Sequence, residues 1–266
     1  MLHKRRAYTS DLSNKQWQRL KRLLSTPRGR RGRPMKLCLR EVVNAILYLI
    51  HTGCQWSELP HDLPNFNSVY YHFRKWCRDG TWQRVNLMLR KQQRRRQKRK
   101  AEPSAAIVDS QSVKTTEARG PRGFDAHKKV TGRKRHILVD TVGNLLEVVV
   151  HTANIPDSVG ARTLFAKLAH ATQQHLHKIW ADGAYQGTLI DWVHDHLDAI
   201  LEIVEKAPDQ KGFQVLPRRW VVERTLAWLS RYRRLSKDYE CCPLSSEGTV
   251  YIASIHTMLK RLDPAS

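Results

Sequence analysis

Apolar residues in the first eighty positions recur every three or four residues, as they do along one face of a helix. This spacing predicts helices over residues 12–24, 39–51, 57–59 and 67–77, and Ser13 is placed to cap the first of them. A segment with two prolines separates the last two helices. A short helix, a turn and a longer helix are typical of a helix-turn-helix, so we predict an all-α N-terminal unit of that type.

The longest helix of this motif has two different faces. Three apolar side chains would point inward: Val69, Phe73 and Trp76. The opposite face is aromatic and basic, and it carries Tyr70, Tyr71, Arg74 and Lys75. Such a face suits a helix that enters the major groove of DNA. An ordinary amphipathic helix with a solvated basic side is the alternative.

The second half of the chain alternates between strand and helix patterns. Short apolar runs predict strands at residues 105–108, 136–140, 145–150, 178–181 and 200–204. Helical spacing follows at residues 160–172, 188–196 and 217–232. The order of strands and helices predicts an α/β domain with a mixed sheet.

The charge of the chain divides it in two. It has 47 Lys and Arg against 24 Asp and Glu, a net charge of +23. Residues 1–103 hold 25 of the basic and 6 of the acidic residues, whereas residues 104–266 have a net charge of only +4. An excess this large is typical of proteins that bind nucleic acids, and a merely solubilising basic face is the alternative. We predict a DNA-binding domain at 1–90, a basic linker at 91–103 and a second domain at 104–266.

Several features exclude other classes of protein. The five cysteines are scattered and form no C-x-x-C pair, which argues against a zinc knuckle or a disulfide framework. The longest apolar stretch is far too short to cross a bilayer, and no apolar signal segment follows the N-terminus. We therefore expect a cytosolic protein that binds polyanions and has no membrane partner.

Three carboxylates stand where a site is expected. Asp109 and Asp182 each follow a short apolar strand, and open α/β sheets place their sites at the carboxyl ends of strands. Glu223 lies near the edge of the buried face of the last predicted helix. Neighbouring carboxylates need cations to stay ionised, and such hard oxygen ligands suit Mg²⁺ or Mn²⁺. Taken singly, each aspartate also fits the role of a turn or capping residue.

Clustered cations accompany these carboxylates. The segment at residues 28–34 interleaves arginine with glycine and would lie on a phosphate path through Arg30, Arg31 and Arg33. The predicted loop at residues 114–135 would close on DNA through Lys128, Lys129, Arg133 and Arg135, unless it is simply solvated. Arg219 and Arg231 lie at helical spacing from Glu223 and complete the predicted DNA contacts.

Several segments of the chain resemble bacterial insertion-sequence transposases, and the closest group is the insertion sequence five family. The segments in the second half are IVDSQSVK (107–114), GRKRHILVD (132–140), ADGAYQG (181–187) and RWVVERTLAWLSRYRR (219–234). In the first half, GCQWSELP (53–60) and YYHFRKW (70–76) resemble the helical DNA-binding region of that family. The resemblance covers nearly the whole chain and implies a ribonuclease H-like catalytic domain with a DDE (Asp-Asp-Glu) site.

On this resemblance Asp109, Asp182 and Glu223 are the catalytic triad and hold two Mg²⁺ or Mn²⁺ ions. The implied substrates are double-stranded DNA at the ends of the element and at the target, joined by a homodimer in a bacterial, nucleoid-associated setting. One signature of the family is incomplete, because Leu216 and Ser230 stand where Tyr and Lys are expected. Arg231 would then supply the missing cation.

Two other functions remain open from the sequence. One is a catalytically silent regulator, derived from a transposase, that binds specific DNA sequences. The other is a metal-dependent nuclease that cuts DNA without transferring a strand.

Overall fold

The computed structural model describes residues 5–24, 37–117, 120–205 and 218–264. The arginines predicted to contact DNA in the segment 28–34 lie outside the described residues, as do Leu216 and the predicted start of the last helix. No helix among the described residues is long and apolar enough to cross a membrane.

The N-terminal part is helical, as predicted. Its helices are α1 (Asn14–Leu24), α2 (Leu39–Thr52), α3 (Phe66–Arg78) and α4 (Thr81–Arg96), with a short 3₁₀ turn at Trp56–Glu58. The Ser13 hydroxyl accepts a hydrogen bond from the Gln16 backbone N–H, and the Gln16 side chain accepts one from the Ser13 N–H in return. This reciprocal pair is a capping box and fixes the start of α1.

A six-stranded mixed sheet forms the second part. Its strands are β1 (Ala105–Lys114), β2 (Gly123–Asp125), β3 (Val130–Asp140), β4 (Leu145–Thr152), β5 (Lys178–Ala181) and β6 (Ile200–Ile203). The order is β2-β3-β1-β5-β6, and β4 also pairs with β3. Strands β1, β5 and β6 are parallel to one another, whereas β3 is antiparallel to β1, β2 and β4. The predicted mixed α/β sheet is therefore confirmed.

Helices cover both faces of this sheet. They are α5 (Asp157–Ala166), α6 (His170–Gln173), α7 (Thr188–Leu197), α8 (Trp220–Ser230) and α9 (Pro243–Leu262). Successive residues of β1 enter different cores, because side chains alternate along a strand. Ile107 packs into a core with the N-terminal helices, α8 and α9, whereas Val108 packs with α5 and α7.

Helix α9 joins the two parts of the chain, and the sequence did not predict it. It contacts α2, α3, α4 and α8 as well as β4. Most of its residues are buried, including several polar ones. Those polar positions hide the amphipathic pattern, since a helix enclosed on all sides has no solvated face to reveal its period.

Three further predictions are corrected by the structure. Strand β1 does not stop before Asp109 but runs on to Lys114, and β2 lies within the predicted loop. The helix predicted over residues 160–172 is two helices, α5 and α6. The predicted linker begins inside α4, where the Arg94 guanidinium is buried and bonds to Asp140 at 2.8 Å.

Candidate active site

The register of two parallel strands brings Asp109 and Asp182 side by side. Ile107 of β1 pairs with Trp180 of β5, so the same register extended by two residues sets Asp109 opposite Asp182. Neighbouring strands lie about 4.8 Å apart, and partners in a parallel register point to the same face. The separation of 73 positions between the two aspartates therefore equals the offset between paired residues of these strands.

Helix α8 supplies the third carboxylate on the same face. It packs on β1, and Val222 lies in the same core as Ile107. Arg219, which precedes the helix, has its Nη2 atom 3.6 Å from Asp182 Oδ2 and 3.6 Å from Glu223 Oε1. The guanidinium group therefore lies between two of the three predicted site carboxylates and ties α8 to the end of β5.

Each aspartate is also oriented by the backbone beside it. Asp109 Oδ1 accepts a hydrogen bond of 2.7 Å from the Ser110 N–H, and Asp182 Oδ1 accepts one of 3.0 Å from the Ala184 N–H. Asp182 thus caps the 3₁₀ turn at Gly183–Tyr185, which is the role that the sequence left as its alternative. Its second oxygen, Oδ2, is the one that faces Arg219.

The electrostatics of Asp109 favour a bound cation. Burial, as the largest cause, and the nearby Asp182 charge raise the pKa of Asp109 to about 6, against the opposing effects of the Ser110 N–H, Lys128 and Arg219. Lys128 approaches closely, because its ammonium group donates to the Ser110 carbonyl at 3.0 Å. Two adjacent carboxylates in such a setting are stabilised in their ionised form by positive charge.

The residues present fit a divalent metal ion. Asp109, Asp182 and Glu223 offer hard carboxylate oxygens, which are the ligands that Mg²⁺ and Mn²⁺ take. Within the described residues, no group of three His, Cys, Asp or Glu side chains is already closed around a metal-sized space. Positive charge at the site comes instead from Arg219, and Glu223 is half-exposed, with 51% of its side chain accessible.

A cleft of about 790 Å³ opens beside Asp182. Basic side chains on its wall include Lys128, Lys134 and Arg219, and acidic ones include Asp125 and Asp157. The cleft is large enough for a segment of DNA backbone, and its cations lie next to the carboxylates.

A buried polar network supports the floor of this cleft, and the sequence analysis missed it. The Asp157 carboxylate accepts a hydrogen bond from Ser110 Oγ at 3.0 Å and forms an ion pair with Lys134 Nζ at 3.0 Å. His136 Nδ1 lies 3.2 Å from the Tyr185 hydroxyl. Tyr185 belongs to the ADGAYQG segment that follows β5, so its place in a quoted motif was the available signal. No local sequence pattern marks Asp157, because only the folding of the chain brings it next to the site.

Four predicted DNA contacts lie on the exposed face of α3, as expected. Val69, Phe73 and Trp76 are buried behind them. A surface cleft of about 620 Å³ is lined by Tyr70, Tyr71, Arg74 and Lys75. Tyr71 is 63% exposed and adds accessible aromatic surface to this cleft.

The prediction that Arg133 and Arg135 contact DNA is wrong, because both guanidinium groups are used inside the protein. Arg133 is 1% exposed and donates to the carbonyls of Glu240 at 2.6 Å and Cys241 at 3.0 Å. Arg135 is 4% exposed and donates to the Leu235 carbonyl at 2.7 Å. They hold the segment between α8 and α9 against β3.

The other predicted contacts have surface positions. Lys128 reaches into the site cleft, and Lys129 lies beside it in an exposed turn with a φ of 51°. Arg231 is exposed just after α8, twelve residues beyond Arg219.

Comparison with known families identifies the class of this protein. A family model described as the DDE domain of transposases matches residues 100–243, which is more than half of the chain. The chain therefore belongs to the DDE transposases, and the mixed sheet with helices on both faces is consistent with a ribonuclease H-like fold. A second model, described as a transposase of the IS4/5 family, matches residues 12–86.

Together the two matches make the chain a DNA transposase of the IS4/IS5 group, as the resemblance predicted. A comparison with curated proteins found no match. DDE transposase domains generally use divalent metal ions and act on DNA.

Proposed function

We propose that this transposase binds the terminal inverted repeats of its insertion sequence, cuts the DNA at the end of the element and joins that end to target DNA. The observation that carries the proposal is the arrangement of the site. The register of β1 and β5 sets Asp109 opposite Asp182, and Arg219 links Asp182 to Glu223 at 3.6 Å on each side.

In this proposal Asp109, Asp182 and Glu223 hold two Mg²⁺ or Mn²⁺ ions. When bound, two such ions stabilise the attacking and the leaving oxygen of an in-line phosphoryl transfer. The raised pKa of Asp109 supports this assignment, since burial beside a second carboxylate is costly without compensating positive charge.

The protein's own groups position the DNA. In this proposal Arg219 turns from the carboxylates to a phosphate once other cations neutralise them, and Lys128 adds a second positive charge near Asp109. Charged donors of this kind hold a phosphodiester in one orientation. The bond from the Ala184 N–H keeps one oxygen of Asp182 fixed, so its other oxygen keeps a constant direction.

The exposed face of α3 supports specific recognition of the DNA end. Tyr70, Tyr71, Arg74 and Lys75 form a continuous aromatic and basic surface on one helix. We infer that α3 is the recognition helix of a helix-turn-helix and that the arginines at residues 30, 31 and 33 follow the adjacent backbone or minor groove.

We further propose that two copies of the chain act together, because two DNA ends must be brought together before both are joined to one target. The division into a DNA-binding part at 1–90, a basic connection at 91–103 and a catalytic part at 104–266 belongs to the same proposal. In this division the buried Arg94 anchors the connection to the sheet.

The proposal is tested by separating DNA binding from cleavage. Wild type, Asp109→Asn and the control Asp191→Asn, which changes an exposed aspartate on α7, are incubated with Mg²⁺ and labelled DNA carrying the repeat that flanks the gene. Asp109→Asn should lower cleavage by at least about 10²-fold and leave DNA affinity within about threefold of wild type. The control should cleave normally.

The products of this assay distinguish the alternatives. Joining of the cut end to a second DNA by wild type supports a transposase, and cleavage without joining supports a nuclease. Specific binding with no metal-dependent cleavage supports the silent regulator. Cleavage by Asp109→Asn at the wild-type rate would refute the assignment of the triad.

A further inference from the structure

A second basic cleft lies at the far end of α8 from Arg219. It has a volume of about 370 Å³ and is formed where α2, α8 and α9 meet. Its walls are cationic and aromatic, and include His51, Trp228, Arg231, Tyr232, Lys260 and Arg261. The predicted functional residues include only Arg231 from this set.

The positive charges of this cleft are not neutralised. None of the described residues that line it is acidic. Arg231 and Lys260 are exposed, and neither forms an ion pair in the part of the chain that the structure describes. Arg261 interacts electrostatically with the Asp140 carboxylate, but that carboxylate already forms an ion pair with Arg94. Positive charge also affects His51, whose pKa is lowered by burial and by Lys260 and Arg233.

The end of α9 does not use these cations either. The last carbonyl groups of a helix lack partners within the helix, and basic side chains of the last turn often satisfy them. Here Arg96 of α4 donates to the carbonyls of Arg261 and Leu262. Lys260 and Arg261 are therefore left to face the cleft.

Aromatic rings hold part of this charge in place. The guanidinium carbon of Arg261 lies 4.0 Å from the centre of the Trp228 ring, and that of Arg224 lies 4.3 Å from the same ring. Arg224 is fixed further by its hydrogen bond of 2.9 Å to the Val142 carbonyl. Cations stacked on a ring lose little further freedom when they bind an anion, so the cleft is prepared for one.

We propose that this cleft binds a backbone phosphate of the same DNA whose end lies at Asp109, Asp182 and Glu223. This inference rests on the proposed function. Helix α8 connects the two positions, and the twelve residues from Arg219 to Arg231 rise by about 18 Å. That length corresponds to about five base pairs of a duplex lying along the helix. Lys260 and Arg231 would bind the phosphate, and Arg261 on Trp228 would form the floor.

The number of phosphate contacts is read from the dependence of DNA affinity on salt. Each contact that is lost lowers the slope of log K against log salt by about 0.9. The affinity of the full chain for duplex DNA carrying the flanking repeat would be measured by fluorescence anisotropy between about 50 and 200 mM NaCl. The variants are Lys260→Gln and Arg231→Gln. The control is Lys178→Gln, which removes the same charge at the start of β5, where that lysine pairs with Glu202.

For each cleft variant, the slope of log K against log salt should be smaller in magnitude than that of wild type by about 0.9. Between about 50 and 200 mM NaCl, the loss of affinity should therefore be about threefold smaller for the variant than for wild type. Ethylation of the phosphate about five base pairs from the cut should weaken binding by wild type but not by Lys260→Gln. Lys178→Gln should keep the wild-type slope. Cleft variants with the slope and interference pattern of wild type would overturn the proposal.

The binding experiment and the cleavage assay described above together separate this inference from the proposed function. If wild type binds the repeat and the cleft variants lose their contact, but no cleavage occurs, the cleft stands and the proposed catalysis fails. If wild type cleaves DNA and the cleft variants bind with an unchanged slope, the catalysis stands and the cleft proposal fails. If inorganic phosphate binds wild type but not Lys260→Gln, while ethylation of the DNA leaves the affinity of wild type unchanged, the cleft binds free phosphate and the proposal is also overturned.

Discussion

Replacing Arg94 tests how the basic run after the N-terminal helices is used. The Arg94 guanidinium bonds to Asp140 at 2.8 Å, and Asp140 is fully buried at the β3–β4 turn. Arg94→Met would leave that carboxylate buried without its ion-pair partner. Breaking a buried ion pair by removing one member typically costs about 3–5 kcal/mol.

The structure sets the magnitude near the lower end of that range. Asp140 keeps three other donors, which are the N–H groups of Val142 and Asn144 at 2.9 Å and the Asn144 side-chain amide at 3.0 Å. We therefore expect a loss of about 3 kcal/mol, which corresponds to a fall in Tm of about 6–12 °C for a chain of this size. Asp140→Asn added to Arg94→Met should restore part of this loss, because it removes the unpaired charge.

Thermal unfolding measured by circular dichroism provides the assay, with Arg95→Met as the control. Arg95 is the next residue of α4 and is exposed, so its replacement should change stability by no more than about 0.5 kcal/mol. Equal values of Tm for Arg94→Met and Arg95→Met would refute the reasoning. That result would mean that residues 91–103 behave as a solvated linker, to which the contact of Arg94 with the sheet adds no stability.

Three further predictions concern pH and packing. The pKa of Asp109 is about 6, so this carboxylate becomes protonated between neutral pH and about pH 5. The affinity of the protein for Mn²⁺, measured by calorimetry, should therefore fall about tenfold over that range. An unchanged affinity would exclude Asp109 as a ligand. Burial raises the pKa of Glu147 from 4.5 to about 7, so the folded protein binds more protons than the unfolded chain in that range and loses stability as pH rises through it. Glu147→Gln should flatten this change in Tm with pH, whereas a curve with the wild-type slope would contradict it. Gly132→Ala should destabilise the fold by about 1–3 kcal/mol, since a Cβ atom there would overlap the Val113 carbonyl, and an unchanged Tm would show that the strands can separate to admit it.

Local patterns were enough to predict strand β5 of the site and the start of α1. Strand β5 spans the predicted residues 178–181, and Asp182 follows it directly. Ser13 caps α1 because its hydroxyl, placed just before the helix, accepts a hydrogen bond from an N–H group of the first turn. In both cases the information lies within a few residues of the feature.

Features that depend on distant partners could not be predicted in this way. Arg133 and Arg135 appear in the sequence as cations of a loop, yet they bond to carbonyls about one hundred residues further along the chain. Helix α9 buries Glu247 against Lys167 and the Val150 N–H, so its polar residues do not mark a solvated face. The role of Arg94 depends on Asp140 in the same way.

The most direct test of the central claim is a strand-transfer assay with Mg²⁺ that compares wild type with Glu223→Gln. The substrate is a labelled end of the element, and an unlabelled plasmid serves as the target. The account predicts that wild type joins the label to the plasmid, that Glu223→Gln does not, and that both bind the end with similar affinity. Joining by Glu223→Gln at the rate of wild type would contradict the proposed site.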